Sequence, residues 1–224
     1  MAGESTLSDV QAGRIRRAER TVASTSTLEG IAGAAGVILP ILGLVGVAPV
    51  WMVGISLIVV GGGLLLEGGA LIAGYGALTG SESGTIGRPA TGSASAQLLG
   101  GAAAVTLGII ALAANASISL FAVAVLALGG ATLLGAGATA RMSGLSLSTR
   151  DERFQRAVSE SIRASAAAEV LTGAGAVVLA IIVLAGVAPA TQVTLLLVAI
   201  LAVGASVFLA GSSLGARMER ALKA

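Results

Sequence analysis

The stretch LEGIAGAAGVILPILGLVGVAPVWMVGISLIVVGGGLLLEGGALIAGYGAL, Leu28–Leu78, decides how the whole chain is organised. Leu28–Val47 carries one charge, Glu29. Ala48-Pro49 interrupts the run, and Val50–Leu78 again carries one charge, Glu67. Each arm spans about 20 residues or more, enough at about 1.5 Å per residue to cross a hydrocarbon core of about 30 Å. Two membrane-crossing helices joined by a tight turn are therefore expected. Strands are not, because the runs are too long, Ala, Leu and Gly dominate them, and period-2 alternation is missing.

Composition agrees with a membrane protein. Of the 224 residues, 55% are hydrophobic and 11% charged, where soluble chains average about 25% charged; the mean hydropathy is +0.98. Net charge is +2, with no Cys and no His. Disulfides, thiolate metal sites, Cys nucleophiles and the commonest general base are thereby excluded. The basic residues are Arg apart from Lys223, and no basic run is interleaved with aromatics, so nucleic acid is not an expected partner. No short apolar core followed by a cleavage site opens the chain, so no signal peptide is expected.

The pattern recurs. At an offset of 140, Glu29 falls on Glu169, Gly33 on Gly173, Val37 on Val177 and Ile41 on Ile181, and Gly46-Val47-Ala48-Pro49 falls on Gly186-Val187-Ala188-Pro189. At an offset of 68, Glu29 falls on Gln97, Gly33 on Gly101, Val37 on Val105 and Ile41 on Ile109; Arg141-Met142 returns as Arg217-Met218. An internal triplication follows. The expected fold is an all-α integral membrane protein of six transmembrane helices in three tandem parallel hairpins, at 28–78, 97–142 and 168–218. A polar segment at 1–27 precedes them. Its Ser8-Asp9-Val10-Gln11 capping-box spacing is compatible with an interfacial helix, with Ile15, Ala18 and Val22 on one face, while Gly13 and the Ser/Thr run at 23–27 equally fit a partly disordered tail. A Gly/Ser/Thr-rich loop with Pro89 is expected over 79–96, and an amphipathic cytoplasmic helix over 143–167, with Phe154, Val158 and Ile162 on one face. Residues 219–224 form a tail.

Charge orients the hairpins. Arg14, Arg16, Arg17, Arg20, Arg88, Arg141, Arg150, Arg153, Arg156, Arg163, Arg217, Arg220 and Lys223 fall on one side of a six-helix arrangement, as do the acids. The three opposite turns, near Ala48-Pro49, Asn115–Ser117 and Ala188–Gln192, are uncharged. By the positive-inside tendency both termini are cytoplasmic, in a bacterial inner membrane or one derived from it. Trp51, Tyr75 and Phe121 are the expected interfacial anchors.

Small residues at Gly100-Ala104-Gly108, Thr172-Ala176-Ala180 and Gly211-Gly215 predict close helix contacts and little room for a wide pore. Pro40 should bend the first crossing. Glu29, Gln97 and Glu169, at equivalent places, lie near the inner boundary of the hydrocarbon, where a carboxylate can reach water or an Arg. Glu67 lies at a similar distance from its turn, but its helix continues apolar. It is therefore drawn slightly inward, near Glu29, as a proton or cation site or as a helix-interface hydrogen bonder. No Walker A, no H-E-x-x-H and no nucleophile with a base is present, so neither an enzyme nor a cofactor is expected.

The segment Gly101-Ala102-Ala103-Ala104-Val105-Thr106-Leu107-Gly108-Ile109-Ile110-Ala111-Leu112, with Pro at the turns as at Pro49 and Pro189, resembles the HdeD-like family of six-helix bacterial membrane proteins over roughly residues 28–218. The resemblance implies a role linked to acid or envelope stress, without a defined reaction. Two functions are expected from the residues. One is a structural or accessory membrane protein, packing in lipid with copies of itself or within a larger membrane complex. The alternative is a small proton or cation transporter or channel, using the carboxylates at the inner boundary.

Overall fold

In the computed structural model, residues 31–79, 88–114, 117–142 and 152–223 are described, with 70–79, 88–93, 137–142, 152–165 and 210–223 described as backbone. Six helices occupy them: α1 (Ile31–Leu44), α2 (Pro49–Thr79), α3 (Arg88–Ala113), α4 (Ile118–Met142), α5 (Glu152–Leu184) and α6 (Pro189–Lys223). Five carry spans long and apolar enough to cross a membrane: Pro49–Gly69, Ala94–Ala113, Ile118–Ala136, Ala166–Leu184 and Pro189–Leu209. Ile31–Leu44 is the described part of a sixth apolar run and by itself is shorter than a crossing.

The repeated Gly-Val-Ala-Pro turn works through its glycine. Gly46 and Gly186 have φ of 98° and 94°, a left-handed conformation in which a Cβ is disfavoured. The Gly46 N–H donates to the Gly43 carbonyl at 3.1 Å and the Val47 N–H to the Leu42 carbonyl at 3.0 Å. That pairing is a Schellman cap, which satisfies carbonyls otherwise left open at the end of α1. Pro49 and Pro189 then occupy the first helical position of α2 and α6, where the missing N–H is harmless. In the second copy the Gln192 side chain also donates to the Val187 carbonyl at 2.8 Å, tying the turn to α6.

Neighbouring helices run antiparallel, as their glycine contacts show. Gly54 meets Leu112, Gly61 meets Gly101 and Gly68 meets Leu98 along α2 and α3. Gly33 meets Phe208, Gly36 meets Gly204 and Gly43 meets Leu197 along α1 and α6. A Cβ at Gly61 would stand 2.9 Å from the Gly101 carbonyl oxygen, and one at Gly129 2.9 Å from that of Gly173. These backbones touch because neither residue has a side chain, which is how helices associate where lipid removes the hydrophobic drive. Ala104, Ala176 and Ala180, from the small-residue series, are fully buried.

The second helix of each hairpin is central. α2, α4 and α6 contact one another, whereas α3 and α5 do not meet. Half of the α4 span is buried, against 22% of the α5 span. Val53, Leu57 and Val60 of α2, Phe121, Val125 and Leu128 of α4, and Leu196, Ile200 and Val203 of α6 fill the centre, each no more than 2% exposed.

Several sequence expectations are corrected. The loop over 79–96 gives way to helix from Arg88, because Pro89 falls in the first turn, where it costs no hydrogen bond. The amphipathic helix expected over 143–167 is no separate element: α5 runs unbroken from Glu152, since Ala164–Ala168 are good helix formers and nothing there ends it. The 219–224 tail is helical through Lys223. Phe121 is 2% exposed and belongs to the buried core, so it is no interfacial anchor, although it lies one turn from the start of α4. Trp51 is 55% exposed at the turn end, and the Tyr75 side chain lies outside the described set. Segment 1–27, Glu29 and the 143–151 part of the connector also lie outside the described residues. Helix α1 continues through Pro40.

Candidate functional site

At the end of the bundle opposite the three turns, the apolar centre gives way to polar side chains. Glu67 of α2, Gln97 of α3, Thr132 of α4, Glu169 of α5 and Ser206 of α6 line one cavity, closed on its apolar side by Leu64 and Val207. Five helices each contribute one polar residue. All five residues fall within the apolar spans, toward the end opposite the turns. Space open to the centre of a water molecule amounts to about 10 Å³, room for about one water and no organic substrate.

Small neighbours bring these groups together. A Cβ at Gly68 would stand 3.0 Å from the Ala94 carbonyl oxygen, so α2 and α3 approach closely beside Glu67. Gln97 lies against Gly135 of α4, where a Cβ would come within 2.5 Å of Nε2. Thr132 lies against Gly173 of α5, one turn beyond Glu169, and a Cβ there would come within 2.5 Å of the threonine Oγ1. A larger residue at Gly135 or Gly173 would push a wall of the cavity outward.

The hydrogen bonding is lopsided. The Gln97 amide donates to the Glu67 carboxylate. Thr132 Oγ1 donates to the Gly129 carbonyl and Ser206 Oγ to the Val203 carbonyl, each at 2.8 Å. With their hydrogens directed at their own helices, both hydroxyls have only lone pairs left to offer. Gln97 is 4% exposed, and its Oε1 has no hydrogen-bond partner. Glu67 and Glu169 are partly buried and near enough to repel one another. Among the described residues no basic side chain lines the cavity, and every Arg and Lys side chain lies outside the described set. Apart from the Gln97 amide, the described lining offers acceptors, two carboxyl groups among them. Such a site stabilises a positive species: a proton, or a small cation stripped of water.

Three residues singled out from the sequence, Glu67, Gln97 and Glu169, meet here. The expected pairing of Glu67 with Glu29 concerns a residue outside the described set, and the neighbours found for Glu67 are Gln97 and Glu169. Glu169, expected at a water-accessible boundary, faces the bundle interior, because α5 carries helix and apolar residues on both sides of it. Thr132 and Ser206 went unnoticed in the sequence. Their only signal is a hydroxyl following a glycine-rich stretch, Gly129-Gly130-Ala131-Thr132 and Gly204-Ala205-Ser206, and helix packing alone turns both toward the carboxylates. Comparison with protein-family models, curated proteins and solved structures finds no match for this chain.

Proposed function

We propose that this chain is a small multi-pass membrane transporter that takes up a proton or a small cation at the Glu67–Gln97–Glu169 cavity. The observation that carries this reading is the convergence of five helices, each with one polar residue, on one small acceptor-rich cavity inside the apolar spans. Acidic groups at such depth are costly, and function is the usual reason a sequence keeps them. In this reading Leu28–Leu44 is the sixth crossing. The three hairpins are parallel repeats, supported by the shared Gly-Val-Ala-Pro turns and the recurring glycine contacts of the helix pairs. The cavity then lies toward the cytoplasmic face of a bacterial inner membrane, on the side of the arginines. The filled centre formed by α2, α4 and α6 favours alternating exposure over an open channel.

The test is reconstitution in liposomes with an internal pH dye and imposed proton, Na⁺ or K⁺ gradients. Flux above that of empty vesicles is expected, lost in Glu169→Gln and Glu67→Gln. If wild-type protein and both variants behave like empty vesicles, the transport reading fails. The same filled centre favours a second reading, an accessory protein that packs with itself or a larger complex. That reading is supported if the flux is absent and gentle solubilisation from the native membrane yields a stoichiometric assembly.

A further inference from the structure

We infer that the cavity is a coordination site for one dehydrated hard metal cation, of the alkali or alkaline-earth class, with a proton as its competitor and not its sole occupant. The inference rests on the reading of the cavity as a proton or cation site and goes on to name the occupant. Its basis is a donor and acceptor count. Protonating a carboxyl supplies one hydrogen, which satisfies one acceptor. The cavity presents more than one open acceptor: the orphaned Gln97 Oε1, the outward lone pairs of Thr132 and Ser206, and the carboxylate oxygens of Glu67 and Glu169. A single hard cation, unlike a single proton, takes several such oxygens as ligands.

Chemistry narrows the ion further. The free donor atoms are oxygens, from carboxylate, amide and hydroxyl groups, which is the ligand set of hard cations; no thiolate or imidazole exists in the chain to favour zinc or copper. Room for about one water also disfavours Mg²⁺, which normally retains several. Na⁺, K⁺ and Ca²⁺ share the required chemistry, since each accepts irregular oxygen coordination and sheds its water more readily. Gln97 is central to the site. It is almost fully buried and lines the cavity, its amide holds Glu67 in place, and its oxygen is left without a hydrogen-bond partner.

The experiment is equilibrium binding and thermal unfolding of purified full-length protein in detergent at fixed pH and ionic strength. NaCl, KCl, CaCl₂ and MgCl₂ are each titrated against choline chloride. One ion among Na⁺, K⁺ and Ca²⁺ is expected to bind with a stoichiometry of one and to raise Tm saturably, by roughly 5 °C at an excess of about 100 Kd. Mg²⁺ and choline should give no saturable shift. Glu169→Gln and Gln97→Met should each weaken or remove the effect. Absence of saturable binding by all three ions overturns the inference, as does a shift of equal size and midpoint in Glu169→Gln. If a variant fails to fold, the wild-type stoichiometry and ion series still decide the matter. Proton flux that depends on Glu169 without metal binding would leave the transport reading standing and remove only the metal ion.

Discussion

Two buried polar atoms among the described residues lack partners, and they mean different things. Ser56 is fully buried in the turn-side part of α2 with its Oγ unbonded, and it is not among the residues that line the Glu67 cavity. Leaving a buried hydroxyl unsatisfied is unfavourable, so Ser56→Ala should stabilise the protein by about 1 kcal/mol. Unfolding of the variant in mixed micelles checks this, and a clear loss of stability would show that Ser56 has a role the structure does not display. Gln97 Oε1 is orphaned beside two carboxyl groups, which makes it part of a site. The glycines divide in the same way. A Cβ at Gly101 would come within 2.6 Å of the Gly61 carbonyl oxygen, whereas one at Gly62 would meet nothing within 4 Å. Gly101→Ala should therefore force α2 and α3 apart at a cost of about 1–3 kcal/mol, with Gly62→Ala close to neutral. Equal effects in the same unfolding assay would contradict this packing of α2 on α3.

At the scale of elements, the hairpins were legible in the sequence and their ends were not. The Gly-Val-Ala-Pro turns announce themselves because each residue has a positional reason: glycine for the left-handed cap, proline for the first helical position. Gly46→Ala and Gly186→Ala should each destabilise by about 1–2 kcal/mol, since a left-handed backbone is strained for any residue with a Cβ. Open space around both glycines removes a steric clash as an alternative cause. A thermal shift no larger than that of Gly62→Ala would show that the turns relax. The start of α3 and the continuity of α5 were misread for a common reason. Pro89 and the polar run before Glu169 look like interruptions, yet a proline in the first turn and a series of alanines both permit helix.

For the whole molecule, the packing order of the helices places the site. Central α2, α4 and α6 bring Glu67, Thr132 and Ser206 inward, and α3 and α5 close the ring with Gln97 and Glu169. Charge predicts that the turn end and the C-terminus face opposite sides of the membrane. The chain has no cysteine, so single substitutions report topology without background. Ser117→Cys, exposed at the α3–α4 turn, should react with an impermeant maleimide added outside intact cells. Lys223→Cys should react only after the membrane is opened. Labelling of both from the same side would remove either the orientation or one of the crossings.

Sequence alone determined that this chain is helical, with runs long and apolar enough to cross a membrane, because in lipid only helices of this length satisfy every backbone hydrogen bond of such runs. It also marked Glu67, Gln97 and Glu169, since charge and amide stand out in an apolar run. Which polar residues share a cavity was decided by the tertiary structure alone. A residue's facing direction in a bundle depends on where glycine lets two backbones touch. Periodicity could not supply this here, because these helices are apolar on nearly every side and carry no polar face to read. The stretch Leu28–Leu78 thus named one acid of the site, and the packing of four other helices supplied its partners.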